Sequence, residues 1–187
     1  MRITGGEWAS RRLIGPVRGS DLRPTPDALR EQAFAILAVR LAGCVFLDLF
    51  AGTGATSLEA LSRGAARAIV CEAAIPALGV IRRNFAELAV AAGRFEIHAG
   101  PVERSLTRLA AHGVVADVVW CDPPFASLDL GREVLAAARS AGLIAGDGRV
   151  VAELPPRAAP DFAGFETLRV LRGAVLLRPR GERGGAA

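Results

Sequence analysis

Residues 45–61, VFLDLFAGTGATSLEAL, decide the fold. The first part is an apolar run rich in strand formers and interrupted only by Asp48. A glycine turn, Gly52-Thr53-Gly54, follows Phe50 and Ala51 and opens onto a helical spacing of apolar residues. Strand, glycine turn and helix in that order hold a nucleotide-like ligand at the edge of an open parallel sheet. The glycines let the backbone approach the ligand, and the unpaired N–H groups at the helix start favour an anion. Alone, the loop is a weak signal. Ser57 stands where a dinucleotide fingerprint has its third glycine, and Asp48 would sit badly beside a pyrophosphate. An acid there suits a ligand with an amino group.

Outward from this stretch the chain alternates strand and helix, the mark of a parallel α/β sheet. Strands are expected at 45–50, 67–72, 95–98, 117–121 and 149–154. Pro76 fits the first turn of a helix burying Ile81, Phe85 and Leu88, and helices are expected near 103–109 and in LDLGREVLAAARSAGL. Two last runs, 167–171 and 174–177, flank Arg172-Gly173 and read as an antiparallel hairpin at the sheet edge. The fold class is thus α/β and Rossmann-like, mostly parallel, with a small N-terminal extension. That extension is assigned to 1–40, as a glycine-turned hairpin and a helix that starts between Thr25 and Asp27. The apolar face of this helix would be Leu29, Phe34 and Leu37. The cofactor-binding domain is assigned to 41–180, and 181–187 to a disordered tail.

At 187 residues, about half of them apolar, the chain is expected to be one globular domain. No apolar run reaches the roughly 18 residues of a membrane helix, and MRITGGEWASRRL lacks a secretory signal. Cys44, Cys71 and Cys121 sit apart in apolar runs, which reads as free thiols in a cytoplasmic protein without a metal. All 23 basic residues are arginine and the net charge is +4. Arginine's planar fork suits phosphates and bases, so a nucleic-acid partner is expected. A GC-rich genome would also explain the missing lysine, though not the net charge. The first forty residues hold seven arginines against four acids. Arg2, Arg11, Arg12, Arg23 and Arg30 are therefore the expected RNA-facing set, the alternative being an ordinary solvated surface.

Two further features carry chemistry. Glu72 ends the second strand, where an acid accepts hydrogen bonds from ribose hydroxyls. Asp122-Pro123-Pro124-Phe125 follows the apolar run VVWC. Its prolines remove two backbone donors and stiffen the turn, leaving the Asp122 carboxylate and the Pro123 carbonyl as acceptors. Two acceptors aimed at one point suit an exocyclic NH2 group, whose nitrogen must become sp3-like to attack a methyl group. Phe125 adds a face for a base to stack on. His98 and His112 have no partner acid or nucleophile at a recognisable spacing, and methyl transfer from a sulfonium needs no histidine. The ligand that matches Asp48, the glycine turn and this chemistry is S-adenosylmethionine, which carries an amino group and a carboxylate.

DPPF resembles the [DNS]-P-P-[FYW] motif of S-adenosylmethionine-dependent methyltransferases that modify exocyclic amines of bases. More narrowly, the chain is similar to the bacterial 16S rRNA (guanine(966)-N2)-methyltransferase family. RITGG, RPTPDALREQAF, DLFAGTGATSLEALSRGA, Glu72 with Asn84 downstream, and DPPF carry the resemblance. It implies a seven-stranded methyltransferase sheet, S-adenosylmethionine as cofactor, and 16S rRNA or the small-subunit particle as partner of a monomer. By the same resemblance Asp48, Phe50, Gly52, Thr53 and Gly54 meet the methionine part and Glu72 the ribose. Gly100, Pro101 and Val102 lie under the adenine, Asp122 to Phe125 meet the guanine, and Asp122 also borders the cofactor. The chain departs from the family at Ala28, Ala35 and Arg172. Three rivals remain open: an adenine-N6 or cytosine-N4 methyltransferase, a non-catalytic RNA-binding assembly factor, and a nicotinamide dehydrogenase.

Overall fold

The computed structural model describes residues 1–17, 25–124 and 128–181. Its seven strands are β1 (Val45–Asp48), β2 (Arg67–Glu72), β3 (Phe95–Ala99), β4 (Ala116–Cys121), β5 (Ile144–Glu153), β6 (Phe165–Leu171) and β7 (Ala174–Pro179). Its helices are α1 (Asp27–Leu41), α2 (Ala55–Ser62), α3 (Ile75–Glu87), α4 (Val102–Ala111) and α5 (Leu128–Ser140). The sheet order is β3-β2-β1-β4-β5-β7-β6. Strands β1 to β5 pair in parallel, and β7 runs antiparallel between β5 and β6. The chain returns across β1 to form β4, so the strand order reverses there and a crevice opens at the carboxyl ends. This is the methyltransferase arrangement expected from the sequence.

Side-chain alternation along the parallel strands divides the core in two. Phe46, Val70, Trp120 and Val151 point to one face, with Phe34, Leu58, Ile81 and Phe85 from α1, α2 and α3. Leu47, Ile69, Val119 and Ala152 point to the other, with Leu106 and Leu135 from α4 and α5. The Phe34 ring stacks on Trp120 at a centroid distance of 5.5 Å and an interplanar angle of 9°. Helix α1 is therefore part of the main core, and the expected boundary near residue 40 corresponds to no break in packing. Strand β5 begins five positions before the expected Arg149. Its Gly146-Asp147-Gly148 stretch bulges out of the ladder with β4 between the pairs Ala116–Ile144 and Val118–Arg149.

The N-terminal segment pairs with itself through the Arg2–Arg12 bridge and is tied down along α2. Thr4 donates to Glu59 from both its amide and its hydroxyl, at 2.8 and 2.7 Å, and Glu7 N–H donates to the Ser62 carbonyl at 2.7 Å. Arg30 departs from the expected RNA-facing set, because its side chain is 0% exposed. It donates to Asp27 at 2.9 Å, to the carbonyls of Thr25 and Arg2, and lies 3.7 Å from Glu59. Glu59 is itself fully buried, so an opposing cation belongs inside and not at the surface. Cys44, Cys71 and Cys121 are buried free thiols, held above the ordinary thiol range chiefly by that burial. Among the described residues no helix is long and apolar enough to cross a membrane.

Candidate active site

Four acids stand at the carboxyl ends of four neighbouring strands, in the spatial order Glu72, Asp48, Asp122, Glu153. Each follows a core residue by two positions: Val70, Phe46, Trp120 and Val151. A strand repeats its facing every two residues, so all four carboxylates leave the sheet on the α1–α2–α3 side. Adjacent strands lie about 4.8 Å apart, which makes the acids a continuous row across the strand reversal.

Asp48 is 1% exposed. Its Oδ2 accepts from the Ser57 hydroxyl at 2.7 Å, which is why serine stands where a dinucleotide loop has glycine. Its Oδ1 is buried with no hydrogen-bond partner among the described residues. Burial pushes the Asp48 carboxyl up to about 7, and the charges of Glu72 and Glu153 add to the rise. An unpaired buried acceptor costs about 1–3 kcal/mol, and an ammonium group delivered to Oδ1 would relieve both the orphan and the charge. Beside it, the glycine turn is held by Glu72, whose Oε2 accepts from Gly52 N–H and whose Oε1 accepts from Ala74 N–H, both at 2.7 Å. Gly54 takes φ +75°, and a Cβ there would come within 3.0 Å of the Phe85 ring. The Asn84 amide donates to the Thr53 carbonyl at 3.0 Å and to the Ile14 carbonyl at 3.1 Å, so it couples the N-terminal segment to the turn. The loop of Gly100 and Pro101 is closed by Gly100 N–H donating to the Glu72 carbonyl at 2.9 Å, and Val102 starts α4. Phe50 packs partly buried on the α4–α5 side.

Across the crevice, Asp122 emerges from β4 immediately after Cys121, which pairs with Ala152, so Glu153 is its lateral neighbour. The Thr25 hydroxyl lies between them, 2.5 Å from Glu153 Oε1 and 3.5 Å from Asp122 Oδ2. A hydroxyl has one proton to give, and these distances assign it to Glu153. The Trp120 indole N–H donates to the same Oε1 at 3.1 Å. Burial raises the Asp122 carboxyl well above the ordinary range, with the charges of Glu153 and Asp48 acting in the same direction. Burial raises Glu153 too, opposed by its bonds to Thr25 and Trp120. Pro123 is buried against α5 at Gly131, where a Cβ would come within 2.7 Å of the proline ring. Glycine in that helix is what lets the turn after Asp122 seat deeply.

The structure thus brings Asp48, the glycine turn, Glu72, the Gly100 loop, Asp122 and Pro123 to one edge of the sheet. Pro124 is exposed next to them, and Phe125 lies outside the described residues, as does Arg23 of the basic arm. Arg2, Arg11 and Arg12 are exposed, Arg11 donating to the Glu87 carbonyl at 3.2 Å. Sequence reasoning missed Ser57 and Glu153 as parts of the site. Glu153 carried a readable signal, because it closes an apolar strand just as Glu72 does. Thr25 reaches Asp122 across 97 positions. Among the described residues no group of three or more His, Cys, Asp or Glu is arranged to hold a metal ion.

A family model described as Conserved hypothetical protein 95 matches residues 1–173. The chain is 39% identical over 126 residues to Ribosomal RNA small subunit methyltransferase D of Escherichia coli K12, a match covering 67% of this chain and 60% of the relative. The match therefore spans less than two thirds of that relative's own length. Among solved structures, the Escherichia coli protein yhhF superposes with a TM-score of 0.80 at 31% identity, covering 96% of this chain and 97% of the other. The SAH-bound methyltransferase PaMTH1 of Podospora anserina shares the fold, with a TM-score of 0.66 at 12% identity over 84% of this chain and 80% of the other.

Proposed function

The chain belongs to the family described as Conserved hypothetical protein 95, and we propose that it transfers a methyl group from S-adenosylmethionine to the exocyclic N2 amine of a guanine in small-subunit rRNA. This reading is carried by the position of Asp122 and its proline turn beside Asp48, at the point where the strand order reverses. The substrate is 16S rRNA, free or within the small-subunit particle, and the protein acts as a cytoplasmic monomer.

The residues present suit the cofactor. S-adenosylmethionine supplies, when bound, a methyl group on a positively charged sulfur. The orphaned Asp48 Oδ1 would receive the amino group, and the row of acids would complement the two positive charges. The glycine turn and Phe50 would flank the methionine part, Glu72 would take the ribose hydroxyls, and Gly100, Pro101 and Val102 would lie under the adenine. Asp122 and the Pro123 carbonyl would accept the two N–H bonds of the target amine. That draws its nitrogen toward the sp3 form and turns its lone pair to the methyl carbon. Asp122 would also be the base for the proton that the amine gives up. Phe125 would stack on the base, which must be swung out of its helix to reach this edge.

Two results would test the binding halves of this reading. Replacing Glu72 with alanine removes a charged acceptor and the brace on Gly52. The cofactor should then bind more weakly by about 1.5–3 kcal/mol in calorimetry; unchanged affinity would remove Glu72 from the site. Replacing Arg2, Arg11, Arg12 and Arg23 together should weaken RNA binding. Its salt dependence should flatten by about 0.7 units of slope for each single-strand phosphate that the arginines no longer neutralise. Cofactor affinity should stay the same. A slope that does not move would place the RNA surface elsewhere.

A further inference from the structure

We propose that Glu153 is the residue that selects guanine, its carboxylate accepting the ring N1–H beside the amine held by Asp122. The inference rests on the methyl-transfer reading above and names how that site tells one base from another. Asp122 and Pro123 alone see only an NH2 group, which adenine, cytosine and guanine all possess. What differs is the ring nitrogen on the Watson–Crick side of that amine. In guanine it is N1–H, a donor. In adenine it is N1 and in cytosine N3, both bare acceptors. A second carboxylate beside the first therefore meets a hydrogen bond in guanine and a lone pair in the other two.

Glu153 is placed for this by three observations. It is one position beyond Ala152, the partner of Cys121, so it stands laterally next to Asp122. It is 6% exposed, and both of its bonds, from Thr25 and from Trp120, arrive at Oε1. No hydrogen bond from the described residues reaches Oε2. The Thr25 and Trp120 bonds hold Oε1 in place and oppose the rise that burial imposes on the carboxyl, leaving Oε2 to accept from N1–H. The charge of Glu153 raises the proton affinity of Asp122 beside it, and burial raises that of both acids, an arrangement that costs stability in the empty site. A base edge with two adjacent donors offsets that cost. The orphaned Asp48 Oδ1 in the same row shows a site equally short of donors on its cofactor side.

The test uses small-subunit particles assembled with either guanine or 2,6-diaminopurine at the target position. Diaminopurine keeps the 2-amine but has a bare N1. The wild-type protein should methylate guanine particles and reject diaminopurine ones. Glu153→Gln can turn its amide NH2 toward a bare N1, so the ratio of kcat/KM for diaminopurine over guanine should rise roughly ten- to a hundredfold. Glu153→Leu should lose activity on both. Calorimetry with S-adenosylhomocysteine and thermal melting should be unchanged in Glu153→Gln, which separates base selection from a folding or cofactor defect. If wild type accepts both bases equally, or if Glu153→Gln leaves the ratio where it was, Glu153 does not select the base and only this inference falls. If wild type methylates neither particle, the methyl-transfer reading falls and takes the inference with it.

Discussion

Replacing Asp122 with alanine is expected to lower the methyl-transfer rate by roughly two to three orders of magnitude, the usual effect of deleting one preorganised hydrogen-bonding group. The side chain is held where it is needed before substrate arrives. Strand β4 delivers it to the crevice, the buried Pro123 fixes the turn behind it, and Gly131 gives that proline room. Binding of S-adenosylmethionine should change little, because Asp48 and Glu72 remain. Asp122→Asn should fall between the two, since its carbonyl still accepts one N–H while the base for the departing proton is lost. Single-turnover rates with calorimetry on the same preparations separate chemistry from binding. An alanine variant working at close to the wild-type rate would remove Asp122 from the reaction.

The other large effect is on stability. Arg30→Ala should destabilise the protein by about 3–5 kcal/mol, the range for breaking a buried ion pair by deleting one partner. Arg30 is fully buried and bonds to Asp27 and to the carbonyls of Arg2 and Thr25. Its loss leaves these acceptors and part of Glu59 uncompensated. In a chain of 187 residues this corresponds to a fall in Tm on the order of 10 °C. Because Arg30 also holds the Thr25 backbone, the variant should lose activity at temperatures where it is still folded. Arg12→Ala, at an exposed position, is the control and should leave Tm within about 1–2 °C of wild type. A melting curve for Arg30→Ala that overlays the control would show that the buried network contributes little.

The parallel sheet was legible because β1, β2 and β4 are short apolar runs, and a buried parallel strand needs little else. Strand β2 spans residues 67–72 as expected, and the burial of Ile81, Phe85 and Leu88 matches the helical spacing seen in the sequence. Asp48, Glu72 and Asp122 stood out for the same reason, as charges closing apolar runs beside glycine or proline turns. Glu153 closes an apolar run too, but Leu154 and two prolines after it offer no ligand-binding pattern. Only the strand order makes it the neighbour of Asp122. Arg30 shows the opposite error. Among seven arginines in the first forty residues Arg30 looks like surface, and its burial follows from Glu59 on α2, 29 positions away, which no local pattern connects to it. Thr25, Asp27 and Arg30 thus act first as a structural staple, and through Thr25 they reach the site.

The central claim is that this row of acids serves methyl transfer to guanine N2 in small-subunit rRNA. Nucleoside mass spectrometry of 16S rRNA tests it most directly, comparing cells with the gene, cells without it, and deleted cells carrying the wild-type or the Asp122→Ala gene. The expected result is the loss of N2-methylguanosine at one position on deletion, its return with the wild-type gene, and no return with Asp122→Ala. Unchanged N2-methylguanosine, with N6-methyladenosine or N4-methylcytidine lost in its place, would contradict the guanine assignment; no change in any methylated nucleoside would contradict the claim altogether.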